Sequence, residues 1–323
     1  MTRTAYAQAG VDIDAGERAV ALMRRHAQSL SGEFASIAAV PPGMREPLVV
    51  SATDGVGTKT DIARRLGRYD TIGQDLVAMC ADDVVCHGAA PSFFLDYVAV
   101  GRILPERVAE IVGGIAAACA EIGCELLGGE TAEHPGLMGH DEFDLAGFCV
   151  GFVERDAVID GSAARAGDVV IGLASSGLHS NGFSLIRRLV DDGRLALTDE
   201  LLTPTRLYAR AVLGVGGVHG MAHITGGGLA RNLPRGVGPA LGVRVDPTSW
   251  RQPAIFDTVA HAVGMDGAEM RATFNCGIGF TLIVEPDAAA TVVGHLEARG
   301  IEAWRIGHVR PVDELGGSRY VEA

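Results

Sequence analysis

Apolar residues recur along this chain at two spacings, and the switches between them outline its elements. The run at 47–53, "PLVVSAT", has strand length and follows the loop-like "VPPGMREP". Between 70 and 90, "DTIGQDLVAMCADDVVCHGAA" carries apolar residues at helical spacing and stops at Gly88, ahead of Pro91. "SFFLDYVAVG" reads as a strand. "LPERVAEIVGGIAAACAEIG" reads as a helix opened by Pro105 and closed by Gly123, and "CELLGG" and "FDLAGFCVGFV" as two further strands. Near Gly161–Asp168 a turn restarts the pattern, with a strand at 168–174 and the Gly-rich "SSGLHSNGFSLIRRL", helical in its second part. "CGIGFTLIVE" predicts a strand, 287–299 a helix and "AWRIGHV" a last strand. Helices and strands alternating at this density predict mixed α/β layers, with a domain boundary close to residue 165 separating 1–165 from 166–323.

Composition agrees with that division. The chain has 323 residues, 48% hydrophobic and 21% charged, which suits about two domains of roughly 150 residues each. Its formal net charge of −13 disfavours nucleic acid and acidic lipid as partners, because neither long-range attraction nor counterion release would help. Phosphate ligands would need metal ions or locally placed donors. The six cysteines form no C-x-x-C pair and no zinc-site spacing, so they read as small buried hydrophobes of a reduced, cytoplasmic compartment. The N-terminus carries no apolar signal core, and no apolar run is long enough to span a bilayer.

Candidate chemistry gathers at strand ends. "LVVSATDGVGTK" places Asp54, Gly55, Gly57, Thr58 and Lys59 at the exit of the first strand, without the spacing of a Walker loop. Glycines there let backbone N–H groups approach a ligand, an acid can hold Mg²⁺, and a lysine supplies a point charge. An ordinary turn with a solvated lysine fits the same letters. On the following helix, Asp75 and Asp82 are seven apart and return to nearly one face, with Asp83 one position round. Such a face is either solvated or holds cations. "LLGGETAEHPG" repeats the grammar, with Gly129 and Glu130 after a strand and Glu133 beyond. In the second half, Ser176, His179, Ser180 and Asn181 lie between glycines before a helix, and Thr225, Gly226 and Gly227 open a second possible anion nest. The other histidines read as structural or solvated.

In order and spacing, "YAQAGVDIDAG", "SATDGVGTK", "DTIGQDLVAMC", "FFLDYVAVG", "GCELLGGETAEHPG", "AGFCVG", "SSGLHSNGFSLIR", "HITGGGLARNLPR" and "TFNCGIG" resemble the phosphoribosylformylglycinamidine cyclo-ligase (AIR synthetase) family over almost the whole chain. The resemblance implies an α+β fold of two domains and a homodimer joined through its N-terminal sheets. It implies the ATP-dependent conversion of formylglycinamidine ribonucleotide to aminoimidazole ribonucleotide, with ADP and phosphate released, in de novo purine synthesis. Carried onto this sequence, Asp54 and Lys59 would sit by the ATP phosphates with Gly55, Gly57, Thr58 and Gly129. Asp54, Asp75, Asp83 and Glu130 would hold Mg²⁺ or organise the nucleotide. His179, Ser180, Asn181, Ser176 and Thr225–Gly227 would face the substrate, with Asp54, Lys59 and His179 as the catalytic set. The segment Gly10–Gly16 would fold over the site. Two departures stand out. Many family members have Asn-Asp where this chain has Asp82-Asp83, and "EHPGLMGHDEFD" replaces a Met-Pro-Gly-Met wording, leaving His134 and His140 without a role. Related ATP-using enzymes fit less well; a selenophosphate synthetase would carry a reactive cysteine near its N-terminal glycine loop, and the first cysteine here is Cys80. A catalytically silent nucleotide-binding scaffold is the rival from another class.

Overall fold

The computed structural model describes residues 13–23 and 35–323. Of the Gly10–Gly16 segment, the part before Ile13 lies outside the described residues. The remainder opens helix α1 (Ile13–Met23), which packs on the later helix Pro105–Ile122 and pairs Arg18 with Glu106 there.

The first sheet is built from β1 (Pro47–Gly55), β2 (Ala90–Val100), β3 (Glu125–Glu133) and β4 (Phe143–Glu154), in the order β1-β4-β2-β3. β4 is antiparallel to β1 and β2, while β2 and β3 run parallel. A parallel pair needs a long crossover, and α4 (Pro105–Ile122) supplies it, starting on Pro105 and stopping at Gly123 as its sequence predicts. Between β1 and β2 the chain forms α2 (Lys59–Leu66) and α3 (Ile72–Val85). One face of the sheet carries α3 and α4. The other leaves Val49 65%, Phe148 43% and Leu95 38% exposed, an apolar face among the described residues.

The second sheet has the order β10-β7-β9-β5-β8-β6, from β5 (Val169–Ala174), β6 (Val218–His223), β7 (Leu241–Val245), β8 (Ile278–Val284), β9 (Ala303–Pro311) and β10 (Tyr320–Glu322). Every residue of β5 and β8 is buried, which is why both read as unbroken apolar runs. Helix α5 (Phe183–Asp191) follows β5. Both halves are therefore α+β units with mixed helices and sheets.

Two local differences have physical causes. β3 runs on to Glu133 instead of stopping at Gly128–Gly129, because pairing with β2 continues to Val100 opposite Glu133, and the Asp96 side chain occupies the space a Cβ at Gly129 would need. β6, β7 and β10 lie where the pattern predicts no strand; each is short, and β6 is interrupted by Gly220. One apolar core runs from α3 and α4 through to β5 and β8, so the two sheets share an interior. α3 sits at its centre, with only Gln74 and Asp83 not fully buried. No helix among the described residues is long and apolar enough to cross a membrane.

Candidate functional site

β1 leaves the first sheet at Gly55, and the chain turns into α2 through Gly57, whose φ of 65° is one that side-chain-bearing residues avoid. This turn faces the second domain. A cleft of about 400 Å³ lies between them, lined by Asp54, Gly55, Gly57 and Asp144 on one side and by Ser180, Asn181 and Thr225 on the other. Asp54 accepts the Gly55 N–H at 2.7 Å. Burial raises its pKa and the nearby Asp83 charge adds to the rise, while that N–H opposes it. Thr58 meets Ser184 of α5 at 3.3 Å, and Asp61 is gripped by Arg64, Arg65 and, from α5, Arg187, so the turn is clasped to the second domain.

Asp83 and His223 line an adjoining hollow beneath β1. His223, the last residue of β6, is buried, and its Nδ1 stands 3.0 Å from Asp83 Oδ1. Burial alone would lower its pKa, but the Asp83 hydrogen bond and the charges of Asp82, Asp83 and Asp54 outweigh this and raise it. The acids Asp83, Asp82 and Asp54 thus favour the protonated ring, whose Nε2 is buried without a partner. Its neighbours are ordinary enough ("MAHITGGG") that only the resemblance motif marks it in the sequence. Asn232 was equally unmarked. Its amide bonds the carbonyls of Thr225, Gly226 and Gly228 at 2.9–3.3 Å and so holds the Thr225–Gly227 turn in shape.

Three expectations are corrected. Lys59 does not reach the cleft. It is fully buried, with Nζ at 2.8 Å from Asp75 Oδ1, 3.0 Å from the His179 carbonyl and 2.8 Å from the Thr203 carbonyl. Three acceptors inside the protein hold the amine, and burial lowers its pKa against the opposing pull of Asp75. Asp75 is likewise buried. Its Oδ1 accepts from Lys59 Nζ, Ser180 Oγ, Thr205 N and Thr205 Oγ1, the last at 2.6 Å. The pair fastens the two domains together, with Asp75 Oδ2 left without a partner.

His179 is corrected for the same reason. At φ 61° its ring turns inward, 1% exposed, and Nε2 accepts the Ser176 N–H at 3.1 Å. The ring lies against Gly279 and Tyr208, where any side chain at 279 would collide with both. Burial holds its pKa well below the ordinary value, and the charges of His223, Lys59 and Arg206 push the same way. A neutral, sealed imidazole cannot exchange protons with a substrate in the cleft. Ser176 also turns away, its hydroxyl donating to the Pro204 carbonyl at 2.6 Å.

The third correction concerns the four carboxylates. Asp54, Gly147, Asp96 and Gly129 lie in one row across the sheet, so Asp54 and Glu130 stand on opposite edge strands, about 14 Å apart at the usual strand spacing. Glu130 is exposed within β3, its Oε1 accepting the Thr131 N–H at 2.8 Å. With Asp75 engaged elsewhere, no three metal-binding side chains converge among the described residues. Asp54 and Asp83 remain neighbours.

Asp82 points the other way from Asp83, into the core, where its Oδ1 accepts the Tyr208 N–H at 3.1 Å and its Oδ2 has no partner. Burial pushes its pKa up to about 7, His223 and the Tyr208 N–H notwithstanding.

Comparison with known proteins adds the family context. Residues 37–153 match the family described as AIR synthase related protein, N-terminal domain, and residues 165–318 its C-terminal domain. A phosphoribosylformylglycinamidine cyclo-ligase of Pseudothermotoga lettingae is 46% identical over 95% of this chain and 97% of its own length, and one of Thermosynechococcus vestitus is 48% identical over 94% and 96%. Among solved structures, the hydrogenase maturation protein HypE in complex with ATP superposes with a TM-score of 0.70 at 21% identity, covering 95% of this chain and 90% of that one. The thiamine-monophosphate kinase of Stenotrophomonas maltophilia gives 0.64 at 19%, covering 95% and 94%. At such identities these two structures speak to the fold.

Proposed function

This chain belongs to the phosphoribosylformylglycinamidine cyclo-ligase family, and from that premise we propose how its own residues divide the work. The enzyme is an ATP-dependent ligase of purine biosynthesis that closes an imidazole ring. The formamide oxygen of formylglycinamidine ribonucleotide attacks the γ-phosphorus of ATP and ADP departs. The amidine nitrogen then attacks the activated carbon, phosphate leaves with the former formamide oxygen, and a proton is lost to give aminoimidazole ribonucleotide.

The observation that carries the residue assignment is the cleft at the exit of β1, where Asp54 and the Gly55–Gly57 turn face Ser180, Asn181 and Thr225. Backbone N–H groups of the turn suit the phosphates of ATP, with Thr58 beside them. Mg²⁺ fits the donors available, since two carboxylates with phosphate oxygens completing the shell is its usual setting, and Asp54 and Asp83 are both oxygen donors close enough to perturb one another. When bound, the ion neutralises phosphoryl charge. His223 orients Asp83 through the contact between its Nδ1 and Asp83 Oδ1. Ser180, Asn181 and Thr225 bind the amidine substrate from the second domain, with Gly226 and Gly227 shaping the turn.

Gly129 and Glu130 stand too far from Asp54 to share its site within one chain. We assign them to a homodimer in which the apolar face bearing Val49, Leu95 and Phe148 meets its copy and brings Glu130 toward the partner subunit's nucleotide. The unpaired cysteines accord with a cytoplasmic setting. The experiment supplies formylglycinamidine ribonucleotide, ATP and Mg²⁺ and follows ADP and ring-closed product together. Wild type makes them in equal amounts, and Asp54→Asn loses at least 100-fold in turnover with the fold intact. ADP formed without the amidine substrate would refute the reaction, and full activity of Asp54→Asn would remove that residue from the site.

A further inference from the structure

A second cleft, of about 650 Å³, opens on the side of the domain seam away from Asp54. Its charged lining is Arg206, Arg210 and Arg299 against the single acid Glu121. Three guanidiniums to one carboxylate is a reversal of charge in a protein whose net charge is −13. Among the described residues the arginines are not spent on ion pairs. Arg210 reaches only the Ala120 carbonyl at 3.3 Å, and Arg299 bonds His295, its own neighbour one helical turn back. Arg206 is the more telling. Its Nε is sealed from water and has no hydrogen-bond partner, an expensive state for a charged donor. The remaining walls include apolar Pro204, Leu207 and Ile301.

We propose that this cleft is a second small-molecule site, taking a phosphate monoester on a body of nucleotide size, with the phosphate on Arg206, Arg210 and Arg299 and the ring against Leu207 and Ile301. Guanidinium forks match phosphate oxygens in pairs, and a volume of several hundred Å³ with apolar walls suits a ring-bearing ligand more than a bare ion. The site is separate from the Asp54 cleft because the segment Thr203–Thr205 stands between them. One side of that segment gives the Thr203 carbonyl to Lys59 and Thr205 to Asp75, and the other side lines the arginine cleft. The charge of Arg206 already bears on His179 across it, so an occupant adjoins the fastening that positions Ser180.

The test is calorimetric titration of AMP into the whole protein, at constant ionic strength, with a non-hydrolysable ATP analogue and Mg²⁺ saturating the first cleft. AMP is expected to bind once per chain in that mixture, at least tenfold tighter than adenosine or inorganic phosphate. Arg206→Gln and the exposed double variant Arg210→Gln/Arg299→Gln should each weaken it at least tenfold, while Asp54→Asn changes it less than twofold. Displacement of AMP by the analogue, or equal affinity in the arginine variants, would overturn the site. Binding of phosphate as tight as AMP would overturn the nucleotide assignment. The double variant keeps the test decisive if Arg206→Gln fails to fold.

Discussion

Replacing Asp82 with Asn, the residue the family commonly has there, isolates the cost of one buried charge. Asp82 is sealed in the core, where one oxygen accepts the Tyr208 N–H and the other has no partner. Its pKa moves from 3.8 to about 7, chiefly through burial. The folded state therefore holds the proton more tightly than the unfolded state. Its contribution is complete below pH 3.8 and is lost as pH rises through about 7. A shift of about three units is worth about 4 kcal/mol at 1.36 kcal/mol per unit. Asn keeps the acceptor for the Tyr208 N–H and never ionises. Urea unfolding of both proteins across pH 5 to 8.5 should show Asp82→Asn more stable by up to about 4 kcal/mol at pH 8, with less than half of that gain left at pH 5. A gain independent of pH would refute the reasoning, as would a variant less stable than wild type at pH 8.

For the Lys59–Asp75 fastening, either single change, Lys59→Met or Asp75→Leu, should cost about 3–5 kcal/mol by stranding the other charge, with the double variant closer to wild type than the sum of the two. Strict additivity in urea unfolding would show that the two groups act independently. For the proposed homodimer, wild type is expected to sediment as a dimer and Phe148→Glu on the open sheet face as a folded monomer, and an unchanged sedimentation coefficient would rule that face out as the interface.

The elements that sequence makes legible are those with one strong local rule. α4 is announced by Pro105 and ends at Gly123, and β5 and β8 are unbroken apolar runs. The exit of β1 and the second-domain loops likewise reach the cleft through Asp54, Ser180, Asn181 and Thr225. The burial of Lys59 is not legible in the sequence because its partners lie 16 to 144 residues away and include backbone carbonyls, which carry no side-chain signature. Asp75 and Asp82 lie on one helical face, as their spacing requires, yet that face is not solvated. It is filled by Thr205 and Tyr208 of the other domain, a possibility periodicity alone does not raise. His223 escaped notice because its partner Asp83 lies 140 residues away on another domain's helix.

α3 belongs by sequence to the first domain, but Thr205 and Ser180 hold Asp75, Tyr208 holds Asp82 and His223 holds Asp83. It is pinned near both ends by the domain it does not belong to, and so behaves as a keel common to both. A hinge between the halves would have to pull several buried charges off their partners at once.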